Sequence, residues 1–345
     1  QKSIYILGAG ETRLTGNLLK EAFTCVVFAN GGTQLSLDGS NHVNAVRCGG
    51  VQRLVVDGYL HLDNSAYYPL LGTRDCEITG AGTLRMSPVS ADQMAWVYVE
   101  SGRTLTVNMP IICASGLNLR EGNGTLVLKG LNDIASNIAI SNACTLSAAV
   151  LGNRGSTDSN LGRGDRIIFN GNGSRLLYTG SGETSDRIIE INNSAVLDHS
   201  GTGTLVFSDD LVVGGTVKTL TLQGSTSGIG EIGGAIGAGA ATTSIAKLGT
   251  VAWRLSGANT CAGSVTINGG ALTVTGADGS LASASGFSLS TNCTLTVENA
   301  ASANQLDRLN DAAPISLNGG TLCFLHSGGA ANYSERAGAV TIVNG

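Results

Sequence analysis

Charge and aromatic surface are both scarce in this sequence. Asp, Glu, Lys and Arg together make up 13% of the residues and Phe, Trp and Tyr only 4%, against an ordinary charged fraction of about 25%. The net charge of −5 is spread thinly, and no run of Lys or Arg is present. Nothing here can track a phosphate backbone, and few rings are available to stack on bases, so nucleic acid is excluded as a partner. Long apolar runs are missing too. The most Ala/Gly-rich stretch, Ile229 to Ala241, is broken by Glu231 and repeated glycines, so no transmembrane helix is expected. Gln1 is preceded by no Met and followed by no basic and apolar export signal, which reads as a processed chain or a fragment of a longer one. Disorder is excluded by a hydrophobic content of 42%, because apolar burial on that scale drives folding.

Glycine, at 50 of 345 residues, is abundant, and it falls between short apolar runs. A Thr-Leu pair recurs at Thr83-Leu84, Thr104-Leu105, Thr125-Leu126 and Thr145-Leu146, at intervals of 21, 21 and 20 residues. The pattern continues less evenly at Thr204-Leu205, Thr219-Leu220, Ala271-Leu272, Thr294-Leu295 and Thr321-Leu322. Apolar residues alternate on either side of Gly/Asn turns: Leu117 and Leu119, then Gly122-Asn123-Gly124, then Leu126 and Leu128. Period-two alternation bounded by turn residues means short, half-buried strands. Helical periodicity is nearly absent; only Gly16 to Phe23 could form a helical turn or, equally, a loop. Asn-Gly turns alone would favour hairpins. A period near 21 residues is too short for a propeller blade, however, and fits one coil of a solenoid. The expected fold is all-β: one continuous parallel β-helix (β-solenoid) over residues 1–345, with about 16 rungs of roughly 21 residues or longer. Leu84, Leu105, Leu126 and Leu146 are expected in one interior stack.

The segment Lys247-Leu248-Gly249-Thr250-Val251-Ala252-Trp253-Arg254-Leu255-Ser256-Gly257-Ala258-Asn259-Thr260-Cys261-Ala262-Gly263-Ser264-Val265-Thr266-Ile267-Asn268-Gly269-Gly270-Ala271-Leu272 resembles the passenger-associated, or autotransporter-associated, β-strand repeat of bacterial surface proteins. That repeat runs Lys-x-Gly, an apolar strand, Leu-Ser-Gly-x-Asn-Thr-Tyr-x-Gly, a second strand and Gly-x-Leu. Cys261 stands where the repeat has its aromatic, and Val251-Ala252 replace its Gly-Thr-Leu strand. The tail from Arg308-Leu309-Asn310-Asp311 to Gly319-Gly320-Thr321-Leu322 is similar to segments that follow such repeats. The likeness covers 228–345 and only the style of what precedes it. It implies a right-handed β-helix, export across an outer membrane and an extracellular or cell-surface location, but no reaction.

Enzymes that cleave polysaccharides also occur among right-handed β-helices, so Asp209-Asp210, the adjacent acidic pair, is weighed as an acid and base for glycoside hydrolysis. The surrounding motifs of polygalacturonase-like enzymes are missing, and the pair reads as solvated turn carboxylates. His42, His61, His199 and His326 are isolated from one another in sequence, without zinc-site spacing. The Gly-x-Gly within Gly228 to Gly239 lacks the helix and Lys-Ser/Thr of a phosphate loop and reads as a turn or loop between rungs. No catalytic, cofactor-binding or metal-ligating residue is assigned. The eight cysteines read as small buried hydrophobes, with one or two inter-rung disulfides as the alternative, Cys25 to Cys48 first among them. Asn123, Asn172, Asn192, Asn292 and Asn332 each begin an Asn-x-Ser/Thr triplet but read as turn or ladder asparagines. The leading function is a non-enzymatic surface rod or fibre segment. The alternative is an adhesin binding surface glycans or host protein, for which Tyr67, Tyr68, Trp96, Tyr98 and Tyr178 are the candidate aromatics. Strand-like sequences at Ser3 to Leu7 and Ala339 to Gly345 lead to an expectation of end-to-end self-association or of continuation into further rungs.

Overall fold

The computed structural model describes the chain apart from residues 1–2, 7–9, 18–24, 29–32, 50, 64–67, 89, 91–92, 216, 239–241, 329–332 and 345. The described residues contain strands and no helix, and the helical turn considered near Gly16 to Phe23 lies mostly outside them. The fold is a β-solenoid whose parallel strands stack in about 13 turns of about 23 residues, fewer and longer than the 16 expected. The chain separates into two compact units, Gln1–Leu176 and Leu177–Gly345, each a stack of short strands paired in parallel with the strands of the preceding and following coil.

In the first unit, Leu105, Leu126 and Leu146 occupy one register ladder and are 0–2% exposed, as the Thr-Leu repeat requires. Leu84 does not join them. It is buried, but it pairs with Leu60 and Ile111 in a separate sheet of five strands. The residue opposite Leu105 on the preceding coil is Cys76. That coil takes 29 residues (105 − 76) because a loop follows the strand Thr83–Ser87, whereas the next coils take 21 and 20. The even spacing of Leu84 therefore came from an inserted loop, not from a shared position.

The second unit contains a longer ladder, Leu205–Gly230–Trp253–Leu272–Leu295–Leu322. Trp253 is fully buried, and the space for its indole comes from Gly230. A Cβ on Gly230 would lie 2.5 Å from the indole carbon Cδ2. Gly230→Ala should therefore lower stability by about 2–3 kcal/mol, a typical overpacking penalty. Combining it with Trp253→Leu should do less harm than the two single changes added together, as read from urea melts of all three variants. The glycine-rich Gly228 to Gly239, expected as a turn or loop, instead supplies strands Ile229–Ile232 and Ile236–Ala238. Glycine is needed there because the neighbouring coil presents an indole.

The repeat-like segment shows what its polar positions do. Lys247 occupies an interior slot between Leu222 and Ile267 and is 0% exposed. Its Nζ donates to the carbonyls of Leu248 (2.7 Å), Gly249 (3.0 Å) and Gly269 (2.8 Å), so one ammonium satisfies two consecutive turns. Burial pulls its pKa down to about 8, with the nearby Cys293 acting in the opposite direction. Asn259, also buried, accepts from Ile236 N (2.9 Å) and donates to the Gly257 and Ser280 carbonyls (2.8 and 3.0 Å). It thus ties three successive turns together. In the tail, the guanidinium of buried Arg308 donates to Asn299 Oδ1 (2.8 Å) and to the carbonyls of Gly276 (2.6 Å), Ala303 (3.0 Å) and Gly279.

Candidate functional site

The outward residues of strand Ala95–Val99 are Trp96 and Tyr98, since their neighbours Ala95, Val97 and Val99 point into the core. On the coil before, Leu71 lies opposite Tyr98 and Arg47 opposite Leu71; on the coil after, Asn118 lies opposite Trp96. Tyr68, just ahead of the strand Leu70–Gly72, completes a ring cluster. Its centroid is 6.0 Å from Trp96 and 5.6 Å from Tyr98, tilted by 49° and 60°. All three rings are half-buried. Separations and tilts of this kind are favourable for aromatic pairs.

One edge of the cluster is closed by charge. The Arg120 guanidinium lies 4.3 Å from the Trp96 ring centre, a cation–π contact. Its Nη2 donates to Glu121 Oε1 at 2.7 Å, and Glu121 also accepts from the Tyr68 hydroxyl. The Tyr68 hydroxyl and the Arg120 cation together hold the Glu121 carboxyl below the usual range, against a smaller opposing effect of desolvation. Glu121 adopts φ of 71°, and its N donates to Asn142 Oδ1 at 3.3 Å. The turn behind it lies so close to the previous coil that a Cβ on Gly122 would be 1.8 Å from the Val99 carbonyl oxygen. Backbone packing thus fixes the direction of Glu121, and Glu121 fixes Tyr68 and Arg120. The result is a cluster of mutually tilted rings edged by the Arg120–Glu121 ion pair.

Of the five aromatics singled out from the sequence, Tyr68, Trp96 and Tyr98 are brought together and Tyr67 lies outside the described residues. Tyr178 is a correction: it is 1% exposed, its hydroxyl accepts from Gly182 N (2.9 Å) and its ring packs 5.4 Å from His199. Interior alternation along strand Ser174–Tyr178 places it there. The sequence gave no sign of Arg120 and Glu121 as members of the site, because they are more than 20 residues from Trp96 and meet it only through coil stacking.

The other sequence candidates fall elsewhere. Asp209 accepts from Asp210 N (2.9 Å) within its own turn, and Asp210 accepts from Ala235 N (2.7 Å), tying that turn to the next coil. His42 and His61 are not isolated. They sit opposite each other on paired strands with ring centres 5.2 Å apart, because a coil of 19 residues (61 − 42) separates them in sequence. His199 is buried and His326 stacks on Tyr333 at 4.5 Å. Among the described residues no group of three or more His, Cys, Asp or Glu could hold a metal ion. Asn123 and Asn292 adopt φ of 57° and 62° in turns, and Asn332 lies outside the described residues. Among the described residues, seven cysteines carry free thiols, including Cys48. The Cys25–Cys48 bridge is ruled out by register: Cys25 lies opposite Ala45, and Cys48 opposite Phe28. Three residues of strand, about 10 Å, exceed the Cα separation of about 7 Å that a disulfide spans; the Cys25 side chain itself lies outside the described residues.

Over 152 residues the chain is 31% identical to the adhesin BmaC autotransporter of Brucella suis biovar 1 (strain 1330), a stretch that covers 41% of this chain and 4% of that protein. No family model matches the chain, and no solved structure matches it.

Proposed function

We propose that this chain is part of an exported, surface-displayed β-solenoid passenger of adhesin type, whose stacked coils act as a spacer and whose Tyr68–Trp96–Tyr98 face binds glycan. The observation that carries this reading is the clustering of three half-buried rings on one face of a chain with only 4% aromatic residues. Ring faces carry negative charge density and attract the weakly positive C–H groups on the flat side of a sugar ring. Because Arg120 is neutralised by Glu121, the face suits an uncharged sugar better than an acidic one. Likeness to an autotransporter adhesin supports export and the surface location. The backbone bonds accepted by Asp209 within its turn and by Asp210 from the next coil favour a structural role for that pair over hydrolysis.

An array of neutral and acidic oligosaccharides tests the proposal. Neutral ligands should be retained, and Trp96→Ala should weaken the best of them by roughly tenfold or more, the loss of one main aromatic contact, with little change in melting temperature. Tyr98→Ala should act in the same direction. An array without signal, or binding untouched by both substitutions, would remove the glycan reading and leave the spacer.

A further inference from the structure

We infer that Cys48 and Cys76 are the two halves of an intramolecular disulfide that closes one coil of the first unit when the chain folds in an oxidising environment. Cys48 ends the strand Ala45–Cys48 and pairs with Gly72 on the next coil. Beyond Gly72 the chain turns a corner around the Cys48 carbonyl, which accepts from Thr73 N (3.0 Å) and Arg74 N (3.1 Å). Two residues later Cys76 opens the strand Cys76–Thr79 in a different sheet. Both side chains point into the interior, 0% and 6% exposed. A Cβ on Gly72, the partner of Cys48, would lie 3.2 Å from the Cβ of Leu105, the partner of Cys76, so the two cysteines occupy facing positions at this corner, and Cys76 is the first influence on the Cys48 thiol. Cys76 Sγ also donates to Glu77 O (3.8 Å), as Cys113 does to Gly116 O (3.3 Å) and Cys293 to Thr291 O (3.6 Å).

The oxidant is an external disulfide, either a small-molecule disulfide or a protein disulfide donor. The thiolate of one cysteine attacks it and releases one thiol, giving a mixed disulfide. The sulfur of the second cysteine then displaces the remaining half and releases a second thiol. The donor accepts two electrons, and the two cysteine protons end on the released thiols. In the folded coil the pair is shut off from solvent, and the contact with Cys76 together with burial holds the Cys48 thiol well above its ordinary pKa. The exchange therefore belongs to folding, before the corner at Thr73 closes. The bond would link positions 28 residues apart (76 − 48), and the closed loop includes Tyr68. The inference does not rest on what the aromatic face binds.

The full chain, unfolded under reductant and refolded in a mixture of reduced and oxidised glutathione, provides the test. Alkylation in denaturant followed by peptide mapping should find Cys48 joined to Cys76 and the other six of the eight cysteines alkylated. The oxidised chain should melt about 5 °C above the reduced one, a difference that Cys48→Ala/Cys76→Ala should abolish. Eight alkylated cysteines after refolding, Cys48 linked to another partner, or equal melting of the oxidised and reduced wild-type chains would overturn it. The mapping reads the wild-type chain, so it stands even if the double variant folds poorly.

Discussion

Raising the reduced protein from neutral pH to about pH 10 should draw stability out of its buried thiols, with Cys261 alone losing on the order of 1 kcal/mol. Burial raises the pKa of Cys113, Cys144 and Cys293, and takes Cys261 to about 12; Cys48 is raised first by its contact with Cys76 and then by burial. In the unfolded chain each thiol ionises near its ordinary value of 9.0. A raised folded pKa gives stability that is fully present below the unfolded value. It is lost as pH climbs from that value toward the folded one, because the unfolded chain then binds fewer protons. Tyr178, raised to about 12 by desolvation, acts in the same direction above pH 10. Lys247 acts the other way: its folded pKa of about 8 lies below the ordinary 10.5, so its burial becomes less unfavourable as pH rises between those values. That gain, about 2.5 kcal/mol between neutral pH and pH 10, opposes the loss from the thiols. Comparing urea midpoints of wild type and Cys261→Val under reductant isolates the Cys261 share: the variant should gain about 1 kcal/mol on the wild type as pH rises from neutral to about 10. A difference between the two proteins that stays constant to pH 10 would mean that the Cys261 thiol is hydrated in the folded state.

The same interior explains which features could be read from the sequence. Alternation and turn residues are local, so the strands and the all-β solenoid were legible, as was the ladder of Leu105, Leu126 and Leu146. The ladder position of Leu84 was not, because a loop of unknown length resets the register without disturbing the local pattern. Contacts between coils are long-range by construction. His42 meets His61, Cys48 meets Cys76 and Tyr68 meets Trp96 at separations that match no fixed period, since coil length itself varies. The repeat-like segment fared better because its polar residues are part of the local pattern. Lys247 and Asn259 were legible as motif positions, but their task of satisfying carbonyl and amide groups on neighbouring turns needed the stacked structure. The aromatic face lies between these cases: Trp96 and Tyr98, two residues apart on one strand, were visible as a pair, while Arg120 and Glu121 were invisible until the next coil was laid over them.

Leu126→Asp should remove on the order of 5 kcal/mol, enough to unfold the first unit, while Asn123→Asp, three residues away, should change stability by less than about 0.5 kcal/mol. Leu126 is 2% exposed, with Leu105 on one coil and Leu146 on the next. Truncation alone, as in Leu126→Ala, should lose about 3 kcal/mol through the cavity it leaves between them. An aspartate at the same place adds a charge with Leu105 and Leu146 on either side of it. It must either stay protonated or draw water into the stack, and both disrupt the coils on each side. Asn123, in contrast, is exposed in its turn and uses its Oδ1 to accept from Ala143 N at 3.3 Å. A carboxylate keeps that acceptor, and aspartate tolerates the left-handed backbone that φ of 57° imposes. Urea melts of the three variants should therefore rank Asn123→Asp near wild type, Leu126→Ala in the middle and Leu126→Asp last. Equal midpoints for the two aspartate variants would place Leu126 at the surface and break the ladder on which the first unit is built.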